Sequence, residues 1–335
     1  MLTEVEGVLG IGYPINEVQS ARNDRRPYPN LPKALTDEGF IQSMAYSLWL
    51  NDLGASTGQI MFGGVNSAKY HGSLQTLPVL SRHGVTAELT IAMTGLSVSG
   101  GDAGNQDISP RTFPIATLLD SGSSLSYLPD SVVAEIFDLT SATFEPNVGA
   151  GFVPCDMANS DATFDFSFSG ITISVEMNEL VVDPSDAGGG GGGGRPTFTD
   201  GTPACFLGIA PASGGSSILG DTFLRSAYVV YDLENNEISL AKTNFNSTKD
   251  DIHEIGSGRN SVPDATGVPS PVTSANEAGS GGGSLGRPWQ TGANGIITPG
   301  ASPHKDGAPA ALSPSGLLLR VVPGLAGAAM LFSIF

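Results

Sequence analysis

The residues best suited to chemistry gather at the end of one apolar run. The run begins at Phe113 and leads directly into Asp120, Ser121, Gly122, Ser123 and Ser124. An aspartate in such a turn can accept a proton from water, and a glycine beside it lets the chain turn tightly next to a bound molecule. The three serines offer hydroxyls that can orient a carboxylate or a water molecule. A single carboxylate cannot be both the base that takes a proton and the acid that returns one, so this turn provides half of a two-carboxylate site.

The elements expected to position this turn are β-strands. The chain contains 45 Gly and 23 Pro among short runs of β-branched and aromatic residues, which favours an all-β body with many turns. Apolar runs predict strands at Ala45–Leu50, Gly58–Phe62, Gly72–Pro78, Leu89–Val98, Phe113–Leu119, Thr163–Phe168, Ile171–Val175, Ala227–Tyr231 and Glu237–Ala241. Two short helices are predicted, one at Pro129–Phe137 capped by Asp130 or Ser131, and one at Asn30–Glu38 with Pro32 in its first turn.

Length and charge limit the classes of function. The 335 residues, 40% of them hydrophobic, suffice for two domains or one large bilobal body. The chain has 15 basic and 33 acidic residues, a net charge of −18, so no nucleic-acid partner is expected. A chain this acidic is suited to work at low pH. The same charge is equally well explained by solubility alone.

Cysteine and histidine use indicates a disulfide and no metal. Cys155 and Cys205 are the only two cysteines, and we expect them to pair in an oxidising compartment; in a reducing one they would be two buried thiols. The four histidines lack metal-ligand spacing. We therefore expect no metal, nucleotide or organic cofactor.

The two ends of the chain carry different targeting signals. Met1 to Gly7 has neither a basic nor an apolar segment of a secretory signal. Residues 244–315 are rich in Gly, Ser, Pro and Ala and predict a disordered stalk, and residues 316–335 form an apolar tail. This arrangement resembles a signal for a glycosylphosphatidylinositol anchor, with Asp306-Gly307-Ala308 as an attachment site; a transmembrane helix or an unprocessed end are the alternatives. Asn246-Ser247-Thr248 is a glycosylation sequon, which fits a secreted protein.

Two other patterns are not read as active sites. The glycine run 188–194 predicts a surface loop, and the Arg195-Pro196 that follows it is unsuited to a phosphate cradle. Gly54 to Gly58 matches the Gly-x-Ser-x-Gly elbow of serine hydrolases, but Asn51-Asp52 precedes it and a strand follows, where the elbow needs a strand before and a helix after.

Several ordered motifs carry a resemblance to a known family. They are Gly7-Val8-Leu9-Gly10-Ile11-Gly12-Tyr13-Pro14, the pair Ala45–Leu50 and Gly58–Gly64, the Asp120 turn, and Ile218-Leu219-Gly220-Asp221-Thr222-Phe223-Leu224-Arg225. In this order the motifs resemble the pepsin-like aspartic proteases, and most closely the fungal cell-surface members of the yapsin and barrierpepsin type. The resemblance covers about Glu6 to Lys242.

The resemblance implies a fold, an activity and a role for each residue of the turn. It implies a bilobal β fold with residues 1–84 as the remnant of the N-terminal lobe and 85–243 as the C-terminal lobe. It implies hydrolysis of peptide bonds in a peptide or protein substrate by water activated between two carboxylates. Asp120 would be the second of these carboxylates, Ser121 would brace the loop, and Gly122 and Ser123 would hydrogen-bond the substrate backbone, with Ser124 supporting the loop.

The family's first Asp-Thr/Ser-Gly loop has no counterpart in the sequence. Asp52 lies in a loop between predicted strands, and Asp221 is not followed by the glycine of that motif. We therefore expect an N-terminally truncated fragment of a secreted, anchored protease of the plasma membrane or cell wall. The complete protein is expected to be a monomer, and this chain alone is expected to be inactive. The alternative is an anchored, inactive pseudoprotease that binds peptide or protein; a homodimer of two Asp120 turns is disfavoured.

Overall fold

The computed structural model describes most of the chain up to residue 277. The described residues are 9–16, 28–101, 104–184 and 195–277, with the backbone of 296–297, 317–318 and 333–334. β-Strands predominate among them, which confirms the all-β prediction. The glycine run 188–194, the start of the chain to residue 8 and the attachment triplet 306–308 lie outside the described residues.

The strands are short, and most of them belong to a few sheets. In chain order they are β1 Ala45–Trp49, β2 Gln59–Phe62, β3 Gly64–Asn66, β4 Tyr70–Pro78, β5 Thr90–Met93, β6 Gly95–Ser99, β7 Gln106–Asp107, β8 Ile115–Leu119, β9 Ser126–Leu128, β10 Thr143–Glu145, β11 Ala150–Pro154, β12 Thr163–Phe168, β13 Ile171–Glu176, β14 Val181–Val182, β15 Thr197–Phe198, β16 Ala204–Leu207, β17 Ile209–Pro211, β18 Ser217–Leu219, β19 Ala227–Asp232, β20 Glu237–Thr243, β21 Ile252–Glu254, β22 Ala265–Gly267, β23 Ile296–Ile297, β24 Leu317–Leu318 and β25 Ser333–Ile334.

The helices are few and short. They are α1 Leu31–Asp37, α2 Asp130–Thr140, α3 Met177–Leu180 and α4 Asp221–Leu224, with 3-10 turns at Pro14–Asn16, Ser67–Lys69 and Cys155–Asn159. No helix in the described part of the chain is long and apolar enough to cross a membrane.

A six-stranded sheet joins the two regions that the sequence assigned to separate lobes. Its order is β2-β1-β19-β20-β4-β22, so β19 and β20, from residues 227–243, lie between β1 and β4, which come from residues 45–78. Every residue of β1 and of β19 is buried, which is typical of strands covered on both faces. Tyr46 lies opposite Tyr231 in this sheet, and their rings stack with centroids 4.9 Å apart.

A five-stranded sheet carries the Asp120 turn. Its order is β17-β9-β18-β8-β5, and β8 runs parallel to β18 and antiparallel to β5. The residues of β8 alternate between buried and half-buried, so one face of the strand packs on the core and the other faces outward. This alternation places Leu118 on the outward face, one residue before β8 ends.

A layer of aromatic residues supports this sheet from the core. β12 follows the period-two pattern, with Phe164, Phe166 and Phe168 fully buried and the residues between them half-buried. Phe166 and Phe168 both contact Phe223 of α4 edge-on, with ring centroids 5.1 and 5.8 Å apart. The aromatic contacts therefore connect β12 to the helix that follows β18.

Most predicted elements are present, with two differences. The strand predicted at Leu89–Val98 is two strands in different sheets, because Thr94 breaks the run and its N–H donates to Ser167 O. α2 is present, but neither predicted side chain caps it; Asp130 instead accepts a hydrogen bond from Ser213 N at 2.9 Å.

The segment after β20 continues to pack against the body. β21 pairs with β3, β22 pairs with β4, and Ile255, Val262 and Val268 are buried. The prediction of a stalk beginning at residue 244 is therefore wrong for residues 244–277. The prediction rested on the polar composition of this segment, in which these three apolar residues are widely spaced. The strands also form through backbone hydrogen bonds, which do not depend on the side chains. Residues 278–295 and most of the chain beyond them lie outside the described part.

A buried ion pair lies beneath the turn that connects β1 to β2. Arg225 Nε contacts Glu179 Oε2 at 2.5 Å, and the two side chains are 8% and 2% exposed. The Glu179 carboxylate also accepts the backbone N–H of Leu53 at 3.1 and 3.2 Å. Burial raises the pKa of Glu179, while Arg225 and the Leu53 N–H oppose that rise. This turn contains the Gly54 to Gly58 pattern and leads into a strand, not into a helix.

Candidate active site

The Asp120 turn begins where β8 ends. The backbone N–H of Asp120 donates to Leu219 O at 3.0 Å, which extends the pairing of β8 with β18 by one residue. The N–H of Ser123 then returns to Asp120 O at 3.2 Å, which closes the turn. The position of Asp120 is thus determined by the backbone of a neighbouring strand about 100 residues later in the chain.

Two donors from the same turn hold the carboxylate of Asp120. Gly122 N donates to Oδ1 at 2.9 Å, and the Ser123 hydroxyl donates to Oδ2 at 2.7 Å. An ionised carboxylate can accept about four hydrogen bonds, so these two contacts fix its orientation and leave acceptor capacity for a ligand. Ser121 lines the adjacent cavity, and Ser124 contributes its carbonyl oxygen to the packing of the turn.

Gly220 allows the second supporting strand to approach this turn closely. A Cβ atom at this position would lie 2.2 Å from Ser123 O and 2.4 Å from Leu125 O. The next two residues bind the turn through their backbone: Asp221 N donates to Ser123 O at 2.8 Å and Thr222 N donates to Ser124 O at 3.3 Å. Any side chain at residue 220 would push the two segments apart.

The buried hydroxyl of Thr222 ties three segments together. It accepts a hydrogen bond from Ser126 N at 3.1 Å and donates to Gly208 O at 2.7 Å. Its Cγ2 lies 2.6 Å from the position that a Cβ on Gly208 would take, so the two segments pack closely only because residue 208 is a glycine. This contact was not predicted from the sequence, although Thr222 directly follows Gly220 and Asp221.

A cavity of about 400 Å³ opens next to the carboxylate. Its walls come from residues 9–13, from Tyr46 and Tyr231 of the six-stranded sheet, and from Leu118 to Gly122. Among the described residues that line it, Glu88 and Asp120 are acidic. Burial raises the pKa of both tyrosines, and the nearby charge of Asp120 adds to the rise, so their hydroxyls stay protonated to a higher pH than an ordinary tyrosine.

A second carboxyl group, that of Asp221, lies close to the turn. Burial raises its pKa to about 7, the charge of Asp120 adds to this rise, and Arg225 opposes it. Asp221 is therefore largely protonated in acid and becomes charged near neutral pH. Its carboxyl group does not line the cavity, so the geometry gives it a supporting position and not a place in contact with a ligand.

The sequence profile of the eukaryotic aspartyl proteases matches residues 1–243. The chain belongs to this family. It is 53% identical over 279 residues to the probable aspartic-type endopeptidase opsB of Aspergillus oryzae, covering 83% of this chain and 55% of that protein. It is 50% identical over 331 residues to the probable aspartic-type endopeptidase OPSB of Trichophyton verrucosum, covering 98% and 64%.

A more distant relative agrees with this assignment, and a solved structure has a similar fold. Aspartic proteinase yapsin-3 of Saccharomyces cerevisiae is 34% identical over 278 residues, covering 79% of this chain and 50% of that protein. The fold is similar to the crystal structure of aspartic proteinase from Irpex lacteus, with a TM-score of 0.57, 22% identity and coverage of 75% and 72%. The chain spans about half to two thirds of the length of these curated relatives.

Other residues singled out in the sequence lie away from the turn. Cys155 and Cys205 form a disulfide with an S–S distance of 2.03 Å, which confirms their pairing. It joins the end of β11 to β16, strands that pair with each other. Within the described residues, no group of three or more His, Cys, Asp or Glu is arranged to hold a metal ion.

The sequon residue Asn246 lies on the surface, just after β20. Its backbone N–H donates to Asn51 Oδ1 at 2.7 Å, and its side-chain amide donates to the carboxylate of Asp52. The residue is exposed and has a positive φ of 56°, a conformation that asparagine tolerates better than most residues.

Proposed function

We propose that this chain contributes one half of the catalytic site of an aspartic endopeptidase, with Asp120 as one of two carboxylates that activate water. The observation that carries this proposal is the Asp120 carboxylate, held by Gly122 N and the Ser123 hydroxyl at the wall of an open cavity. In such a pair, the ionised carboxylate accepts a proton from water while the protonated one donates to the carbonyl oxygen of the peptide.

The second carboxylate of the proposed pair is an aspartate outside the described residues. The two carboxyl groups must share a proton, which requires contact across the cavity. Glu88 is exposed and belongs to the segment before β5, and Asp221 does not line the cavity. Neither replaces the missing partner.

The substrate of the proposed protease is a peptide or protein in an extended conformation. Gly122 has no side chain to obstruct a backbone beside the carboxylate, and Ser121 and Gly122 both line the cavity. Support for this assignment comes from the turn geometry and from family membership. No cofactor takes part in the proposed mechanism, since the two carboxylates supply both proton-transfer steps.

Substitution of Asp120 in the full-length gene product tests this function. Peptide cleavage between about pH 3 and 6 should fall by at least about 100-fold in Asp120→Asn, because general acid–base catalysis contributes that much or more. Glu88→Gln is the matched control, since it neutralises the other acidic residue of the same cavity. Full cleavage by Asp120→Asn rejects the proposal. A wild-type protein that binds peptides without cleaving them favours the pseudoprotease instead.

We further propose that the mature protein is secreted, glycosylated at Asn246 and held at the cell surface by a lipid anchor. Support comes from the exposed position of Asn246 and from the apolar tail 316–335 after a polar segment. A phosphatidylinositol-specific phospholipase should release the protein from intact cells, and Asn246→Gln should lower its apparent mass. Retention of the protein on the cells after phospholipase treatment contradicts the lipid anchor. An unchanged apparent mass of Asn246→Gln contradicts glycosylation at Asn246.

A further inference from the structure

The side chain of Thr222 is the centre of a buried cluster of hydrogen bonds behind the Asp120 turn. Its hydroxyl donates to Gly208 O at 2.7 Å, and Ser126 N donates both to this hydroxyl and to Gly208 O, at 3.1 and 3.0 Å. The Ser126 hydroxyl also lies 3.1 Å from the Thr222 oxygen. Because the one hydrogen of the Thr222 hydroxyl is already given to Gly208, the Ser126 hydroxyl is the donor in this contact. Thr222 and Ser126 are 1% and 0% exposed, so solvent does not compete for these bonds.

The segment 219–222 also holds the Asp120 turn through its backbone. Three bonds between backbone atoms join Asp120 N to Leu219 O, Asp221 N to Ser123 O and Thr222 N to Ser124 O. Thr222 adds a side chain to this set, because its hydroxyl binds the N–H and the hydroxyl of Ser126 at the end of the turn. A substitution can remove this side-chain contact while the backbone bonds remain possible. Residue 222 is therefore a position at which the sequence controls how closely the turn is held.

Ser123 connects the Asp120 carboxylate to the segment that contains Thr222. The Ser123 hydroxyl donates to Asp120 Oδ2 at 2.7 Å, and the carbonyl oxygen of the same residue accepts from Asp221 N at 2.8 Å. The two segments are in such close contact that a Cβ on Gly220 would lie 2.2 Å from Ser123 O. Closely packed groups transmit small shifts, so a movement of the segment 219–222 would displace Ser123 and with it the carboxylate.

We propose that Thr222 is a positioning residue for the reaction, because its hydroxyl keeps the Asp120 carboxylate in the orientation that proton transfer requires. This inference rests on the proposed function. Thr222 does not line the Asp120 cavity, so it acts through the turn and does not touch the substrate. Peptide binding depends on the walls of the cavity, whereas proton transfer depends on the alignment of the carboxyl groups. Loss of the Thr222 hydroxyl should therefore lower kcat and leave KM nearly unchanged.

Thr222→Val in the full-length gene product tests this role, because valine has the shape of threonine without the hydroxyl. The assay is cleavage of a peptide at about pH 4, at a temperature where every variant is folded. We expect kcat to fall at least about tenfold, since a displacement of about 1 Å far from the chemistry can cost about 100-fold in rate. KM should stay nearly unchanged. Thr222→Ser keeps the hydroxyl and should restore most of the lost kcat.

A matched control distinguishes positioning from stability. Thr76→Val removes a hydroxyl that bonds to Ser239 Oγ at 2.8 Å in the six-stranded sheet, away from the turn, and it should lower stability without lowering kcat. Ser126→Ala removes one contact of the cluster, so it should lower kcat less than Thr222→Val does, and it decides the question alone where Thr222→Val fails to fold. An unchanged kcat in Ser126→Ala and in folded Thr222→Val overturns the positioning role, even where the midpoint of thermal unfolding falls. An equal loss of kcat in Thr76→Val also overturns it.

Asp120→Asn in the same assay separates this inference from the proposed function. Loss of cleavage in Asp120→Asn together with a full kcat in Thr222→Val overturns only the positioning role. Cleavage that survives Asp120→Asn instead rejects the proposed function. A wild type that cleaves no peptide overturns both.

Discussion

The raised pKa of Asp221 predicts that the folded protein loses stability as the pH rises toward neutrality. Asp221 begins α4, where burial and the charge of Asp120 hold its pKa at about 7, compared with 3.8 for an ordinary aspartate. The folded state therefore retains a proton that the unfolded state has already released. Replacing Asp221 with Asn keeps the size of the side chain and removes this titration.

The magnitude follows from the interval between the two pKa values. Below about pH 4 both states are protonated, so the group has no effect on the free energy of unfolding. Between pH 4 and 7 the unfolded state is favoured progressively, and the loss is complete above pH 7. At about 1.36 kcal/mol per pH unit, the full loss is about 4 kcal/mol. Asp221→Asn should therefore be more stable than the wild type at pH 7 by up to about 4 kcal/mol, with little difference at pH 3.5.

Urea unfolding at pH 3.5, 5.5 and 7 measures this difference, with the fluorescence of the buried Trp49 as the signal. Asp138→Asn is the matched control, because it removes one carboxylate from the exposed face of α2. The wild type and this control should lose stability in parallel as the pH rises, whereas Asp221→Asn should lose less. The same pH dependence in all three proteins would refute the reasoning.

Three further predictions concern the stability of the fold. Gly220→Ala should lower the free energy of unfolding by about 3 kcal/mol or more, because its Cβ would overlap two carbonyl oxygens; an unchanged midpoint of thermal unfolding contradicts this. Arg225→Met should cost about 3–5 kcal/mol by leaving Glu179 buried without its partner, and adding Glu179→Gln should recover part of that loss in denaturant unfolding. The double substitution Cys155→Ser with Cys205→Ser should cost about 4 kcal/mol on the chain-entropy estimate for a separation of 50 residues; equal unfolding midpoints before and after the change would oppose it.

Much of the fold could be predicted where the pattern of a strand is local. The alternation in residues 163–168 and the apolar run at 227–231 predict β12 and β19 because burial on one or both faces leaves a direct mark on the sequence. The three- and four-residue strands between Ala204 and Leu219 were missed. Gly208 interrupts them, and runs this short have no measurable period.

The candidate site, like the fold, could be predicted only where its pattern is local in the sequence. The strand and turn that carry Asp120 could be predicted, since an apolar strand that leads a carboxylate into Ser and Gly is a local pattern. The burial of Asp221 was not, because it arises when the segments around residues 120 and 220 pack together. The pairing of Asn276 with the start of β8 could not be predicted either, since it rests on backbone hydrogen bonds of a segment of polar composition.

The decisive measurement is kcat/KM for peptide cleavage at about pH 4 by the full-length gene product, compared between the wild type, Asp120→Asn, Glu88→Gln and the double variant. We expect Asp120→Asn to lose at least about 100-fold in kcat/KM, whereas Glu88→Gln keeps activity that depends on Asp120. The double variant should then be as inactive as Asp120→Asn alone. Peptide hydrolysis at the wild-type rate by Asp120→Asn would contradict the assignment of this carboxylate as one half of the catalytic pair.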